Sequence, residues 1–154
     1  KSCLKTKNYF KCKNFLGQEL VFDVDADNIR CVCKNLFGKK LHQNNFCEKC
    51  LKKTIHNAFE IKKKLDFNNI RIVYSGRGSH VHVFDRKAYK LNVNERKKLA
   101  QKFSSYGIDK WVTEGRIRLV RLPYSLNGVV SRIAIPIEKK EKFNFKNTLP
   151  EFLK

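Results

Sequence analysis

The run Glu19-Leu20-Val21-Phe22-Asp23-Val24-Asp25 sets two carboxylates two residues apart at the end of an apolar stretch. In an extended strand such residues share one face, with backbones roughly 7 Å apart, so Asp23 and Asp25 can aim their oxygens at one site. Carboxylate oxygens suit Mg²⁺ or Mn²⁺, and paired ions of that kind neutralise the attacking and leaving oxygens of a phosphoryl transfer. The competing reading is a strand end that surfaces, with Asp23, Asp25 and Asp27 solvated while Phe22 and Val24 pack inward.

Further along, Ser75-Gly76-Arg77-Gly78-Ser79-His80 combines two glycines with three side-chain donors. Glycine lets backbone amides approach an anion closely, and Ser75, Arg77 and His80 add hydroxyl, guanidinium and imidazole contacts, a set suited to a triphosphate. The segment is not a P-loop, because it lacks the Gly-Lys-Ser/Thr ending and leads into a strand rather than a helix. An ordinary glycine-rich hairpin with a chance arginine is the alternative. His82 shares a strand face with His80 and is expected to be a packed or hydrogen-bonded residue, not a metal ligand.

Cys31-Val32-Cys33 and Cys47-Glu48-Lys49-Cys50 pair a CxC with a CxxC. Four thiolates at this spacing are a sound set for a closed tetrahedral Zn²⁺ site, with His42 as a substitute ligand. Such a site would order an irregular stretch that has few apolar residues of its own. Cys3 and Cys12 have no comparable partner.

Several elements must hold these groups in place. Leu20 to Val24 forms a buried strand, and residues 48–66 form an amphipathic helix with Leu51, Ile55, Ala58, Phe59, Ile61 and Leu65 largely at three-to-four spacing. Ile70–Tyr74 and His80–Phe84 are strands joined by the glycine turn. A helix capped at Asn94 runs to Phe103 and ends before Gly107. Arg116–Leu122 and Arg132–Ile137 are two further strands around Pro123-Tyr124-Ser125-Leu126-Asn127-Gly128. Strands outnumber helices without regular alternation, which predicts an α+β fold with a mainly antiparallel sheet and flanking helices. Residues 1–154 form a single domain in this reading, with a zinc-binding insertion at about 29–50.

Lys and Arg number 34 against 14 Asp and Glu, a net charge of +20. That excess far exceeds the roughly 2 to 8 charges that solubility needs, and it points to a polyanionic partner, nucleic acid or nucleotide. No stretch reaches the roughly 18 apolar residues of a membrane span, and no secretory signal core opens the chain. The expected location is intracellular, where thiolate ligands are favoured over disulfides.

Taken in order, four segments resemble the small catalytic subunit of archaeal and eukaryotic DNA primases. They are the aspartate strand, the cysteine insertion, Val73-Tyr74-Ser75-Gly76-Arg77-Gly78-Ser79-His80 and Arg121-Leu122-Pro123-Tyr124-Ser125-Leu126-Asn127-Gly128. The resemblance runs from about residue 16 to the C-terminus. It implies an RRM-like catalytic sheet and a polymerase that makes short RNA primers de novo on single-stranded DNA from NTPs, with dNTPs as alternative substrates. A large iron-sulfur subunit is the implied partner. Asp23 and Asp25 match the family's metal-binding strand aspartates, and Asp109 matches the third, with Glu114 as the local alternative. Ser75, Arg77 and His80 match the triphosphate-binding residues, and Arg121 a basic residue facing the nucleotide.

Three departures stand out. Asn127 occupies a nucleotide-facing position where many relatives have His, and it can donate a hydrogen bond but carry no charge. Relatives also have a substantial region before the aspartate strand, where nineteen residues precede Leu20 here. Cys33 fills a zinc position that is often His. The nearest rival functions are a primase-polymerase or an end-joining repair polymerase, and, from another class, a non-catalytic zinc-bearing nucleic-acid module.

Overall fold

A computed structural model of the chain describes residues 13–29, 47–115 and 119–153. The apolar run forms strand β1 (Leu20–Asp25), in which Leu20, Phe22 and Val24 are fully buried while Asp23 and Asp25 stay partly exposed. Strands β2 (Ile70–Tyr74) and β3 (Gly78–Val83) form the expected hairpin. Helix α1 (Glu48–Lys64) lies across all three. Its Leu51, Ile55, Ala58 and Ile61 recur at helical spacing and bury their side chains in the sheet's core face.

Two short strands complete the sheet, β4 (Ile108–Asp109) at one edge and β7 (Ile135–Ile137) at the other, giving the order β4-β1-β3-β2-β7. Every neighbouring pair is antiparallel. The fold is therefore α+β with a mainly antiparallel sheet, as the pattern of elements predicts. Register assigns each residue a face. Phe22, Val24, Val81, Val83, Ile72, Tyr74, Ile108 and Ile137 form the core under α1. Asp23, His80, Val73 and Pro136 are paired in one row on the opposite face, and Asp109 flanks Asp23 there.

Short helices α2 (Arg86–Tyr89) and α4 (Lys110–Thr113) bracket helix α3 (Val93–Lys102). The cap of α3 lies two residues before the predicted Asn94. Asn92 accepts from the N–H groups of Asn94 and Glu95, and the Glu95 carboxylate returns to the Asn92 N–H, so two orphan donors are satisfied reciprocally. Phe103 at the end of α3 meets Phe22 edge-on, with centroids 5.4 Å apart, which ties the helix to β1.

The last part of the chain departs from expectation. Residues 119–122 form no strand, and the other residues of the predicted 116–122 strand lie outside the described set. Leu119 and Leu122 are mostly in solvent and have no neighbouring ladder to join. The predicted strand 132–137 divides at Ala134. Strand β6 (Arg132–Ile133) turns back on β5 (Leu126–Asn127), whereas β7 joins β2. Ala134 between them donates to the Ser125 carbonyl and accepts from the Tyr124 N–H. Its backbone groups are thus satisfied off the ladder.

Of the four predicted zinc ligands, Cys47 is the N-cap of α1 and Cys50 is buried in its first turn. Cys31, Cys33 and His42 lie outside the described residues. Among the described residues, no helix is long and apolar enough to cross a membrane.

Candidate active site

The open face of the sheet carries the predicted chemistry. Asp23 on β1 is paired with His80 on β3 at one side and with Asp109 on β4 at the other, so three predicted residues stand in one cross-strand row. Asp25, two residues on, is opposite Gly78. The strands run this close because Gly78 has no side chain: a Cβ there would sit 2.2 Å from the Val24 carbonyl oxygen.

Gly76 serves a second close approach. It holds φ +97°, and a Cβ would meet the Asn127 side chain at 2.7 Å, so the turn and the β5 strand close on each other only with glycine at this position. Asn127 is buried and uses both ends of its amide. Its Nδ2 donates to the Ser75 carbonyl at 3.0 Å, and its Oδ1 accepts from the Val129 N–H at 3.2 Å. A flipped amide would set donor against donor, which fixes its orientation.

Asp23, Asp25, Ser75, Arg77, His80, Arg121 and Asn127 line one cleft of about 170 Å³. Asp109 flanks it through its pairing with Asp23. Pockets that engulf a whole small ligand run to ~300 Å³ or more, so this space fits a phosphate chain better than a complete nucleotide. A larger cleft of about 880 Å³ lies alongside and shares Arg121, but Asp23 and Asp25 line the smaller one.

Burial, and then the charges of Asp25 and Asp109, push the Asp23 carboxyl up to about 7. Asp25 is also raised, chiefly by burial, with the Asp27 N–H and the Arg77 guanidinium opposing. His80 is pushed down to about 3 by burial, with His82 and Arg121 adding to the effect. The His80 Nε2 to Asp23 Oδ1 contact at 3.5 Å is therefore a neutral imidazole beside a carboxyl group, not an ion pair.

An acidic row held at such cost is a fitting place for a divalent cation, since oxygen donors of this kind are its usual ligands. Two of the carboxylates already spend an oxygen on the backbone: Asp25 Oδ1 accepts from the Asp27 N–H, and Asp109 Oδ1 from the Trp111 N–H as the cap of α4. Among the described residues, no three His, Cys, Asp or Glu side chains are drawn together tightly enough to hold an ion.

Known proteins are similar to this sequence. A protein of Archaeoglobus fulgidus named "Uncharacterized DNA primase small subunit-like protein" is 45% identical over 155 residues, covering 96% of this chain and 55% of its own length. The "DNA primase small subunit PriS" of Pyrobaculum arsenaticum is 28% identical over 174 residues, covering 84% of this chain and 54% of its own length. This chain is a homologue of the archaeal DNA primase small subunits. It spans about half the length of these two relatives. The PriS of Thermococcus kodakarensis, 34% identical over 100 residues, matches 60% of the chain. No family model matches.

In this primase homologue, two acidic residues have partners at the site that the sequence did not reveal. Asp27 forms an ion pair with Arg77, and Glu19 Oε1 lies 2.8 Å from His82 Nδ1. Glu19 had a readable signal, because it shares the parity of Asp23 and Asp25 along β1. Asp27 follows Asp25 in the same i, i+2 series, but it sits in a 3₁₀ turn (Ala26–Asn28), where strand parity no longer says which way it points.

Proposed function

We propose that this chain is the catalytic core of a DNA primase small subunit, a nucleotidyltransferase that builds short RNA primers on single-stranded DNA. The observation that carries the reading is the convergence of Asp23, Asp25, Ser75, Arg77, His80 and Arg121 on one cleft in a homologue of primases. Asp23, Asp25 and Asp109 would hold two Mg²⁺ or Mn²⁺ ions, which would supply a lowered pKa at the primer's 3′-hydroxyl and charge balance at the pyrophosphate.

The chain's own residues position the triphosphate. The Ser75 hydroxyl and the guanidinium groups of Arg77 and Arg121 bind its oxygens. Arg77 keeps donors to spare beyond its Asp27 partner, because a guanidinium has five. Arg121 is itself steadied by donating to the Leu126 carbonyl at 2.9 Å. His80, held neutral, presents one N–H without adding charge. Asn127 braces the Ser75 carbonyl and so acts on the nucleotide through the turn.

The remaining parts of the reading are a single catalytic domain over 1–154, an insertion at about 29–50 stapled by Zn²⁺ through Cys31, Cys33, Cys47 and Cys50, and a large iron-sulfur subunit as partner. Cys47 and Cys50 at the first turn of α1 support the staple, because a bound ion there would tie the insertion to the helix under the active sheet.

The experiment is primer synthesis from ribonucleotides on single-stranded DNA, with Mg²⁺ or Mn²⁺, with and without a large subunit. Asp23→Asn and Asp25→Asn are each expected to lower the rate by at least about a hundredfold at unchanged fold. Synthesis at the wild-type rate in both variants rules the metal assignment out. Zinc-free protein that retains its fold removes the staple.

A further inference from the structure

Beyond the catalytic cleft, the open face of the sheet continues into the larger groove of about 880 Å³, roofed by residues 120–124. Three features single it out. Phe84 and Tyr124 line it and are 41% and 74% exposed, so both rings are open to a ligand. Tyr124 holds φ +67°, a left-handed conformation that costs a non-glycine residue energy, while its N–H stays bonded to the Ala134 carbonyl. Phe84 lies parallel to His82, with 7° between the planes and 6.0 Å between centroids. His82 is fixed in turn by Glu19, and its Nε2 is buried with no partner.

The cations of the groove are Lys62, Arg71 and Arg121, against Glu19 and Glu138. Glu19 is engaged by His82. The edge strand of this face contains Pro136, which has no N–H to offer, so the rim is a poor template for an added peptide strand. Flat, exposed rings beside guanidinium groups on the face of a chain with charge +20 fit bases and their phosphates better.

We propose that this groove binds single-stranded DNA, with bases stacked on Tyr124 and Phe84 and a phosphate on Arg71. Three strand spacings, about 14 Å, separate the Asp23 column from Pro136, so a strand lying here passes beside the catalytic cleft without filling it. The assignment deepens the primase reading and rests on it only for the role of the bound strand, because binding itself needs neither metal nor nucleotide.

The test is fluorescence anisotropy of the full chain with a labelled oligothymidylate in EDTA, over a range of salt concentrations. Tyr124→Ala is expected to weaken binding about fivefold or more with the salt slope unchanged, and Tyr124→Phe to restore it. Arg71→Ala is expected to flatten the salt slope by about one phosphate contact. Tyr124 is exposed, so its variants should melt as the wild type does; Phe84→Ala is a second probe, read together with its melting curve.

Wild-type affinity in both aromatic variants overturns the proposal. So does a Tyr124→Ala variant whose oligonucleotide binding is intact while its Mg²⁺-dependent NTP binding falls, which would give the groove to the incoming nucleotide. Asp23→Asn that abolishes synthesis but binds oligonucleotide normally leaves the groove standing. Intact synthesis in Asp23→Asn with stacking lost in Tyr124→Ala defeats the catalytic reading alone.

Discussion

At Asp23, burial and two neighbouring carboxylates act in the same direction, and the acid is pushed from its ordinary 3.8 up to about 7. Because the folded value is raised, this side chain costs nothing below about pH 4, where it is protonated folded or unfolded. Between about pH 4 and 7 the unfolded chain has released a proton that the fold retains, so stability falls as pH rises. Above 7 the cost levels off at a magnitude on the order of 4 kcal/mol. In metal-free protein, Asp23→Asn is therefore expected to raise the melting temperature at pH 8 and to change it little at pH 4, as scanning calorimetry at the two pH values can read. Millimolar Mn²⁺ should stabilise the wild type at pH 8 and the variant much less. A variant less stable than wild type at pH 8 without metal would mean that the carboxylate is satisfied by a partner other than a cation.

At the scale of elements, the site depends on how closely β1 and β3 run, and Gly78 sets that distance. Alanine at 78 would drive its Cβ against the Val24 carbonyl, an approach that neither strand can relieve without shifting Asp25 away from the turn. Gly78→Ala is expected to cost about 1–3 kcal/mol in urea denaturation and to weaken Mg²⁺-dependent NTP binding beyond what the lost stability explains. Nucleotide binding at wild-type strength would show that the Asp25–Gly78 contact does not shape the cleft. Glycine here was legible in the sequence as part of a turn, but its closest neighbour, a backbone oxygen on the directly paired strand β1, was not. The same limit divides the other elements. β1, β2, β3 and α1 announced themselves because each buries a periodic apolar face long enough to count. β4, β5 and β6 are two residues each, too short for any period, and exist because a neighbour fixes their register. Asp109 therefore could be placed beside Asp23 only by family resemblance, while Leu119–Leu122 had strand-like composition and found no strand to pair with.

At the scale of the molecule, the sheet keeps one face for its core and the other for chemistry, and one buried cation sets where that sheet begins. Arg96 on α3 is fully buried and donates to the carbonyls of Leu91, Ala88, Gln18 and Glu19, joining both helices to the segment that leads into β1. No periodicity marks it: in the sequence it is one more lysine-or-arginine position on a basic amphipathic helix, and only the tertiary fold turns it inward. A guanidinium suits this place because its planar donors can satisfy several carbonyls at once. Methionine would fill a similar volume but leave those oxygens buried without donors. Arg96→Met is thus expected to lower stability by about 3–5 kcal/mol, seen as a lower urea midpoint with little change in slope. Arg96→Lys should recover only part of the loss, since one ammonium cannot reach carbonyls on three separate segments. Because Glu19 also orients His82, the same variant should loosen the groove next to the active face. Weaker oligonucleotide binding under conditions where Arg96→Met is still folded would connect the buried anchor to the surface it supports, and unchanged binding would confine Arg96 to stability.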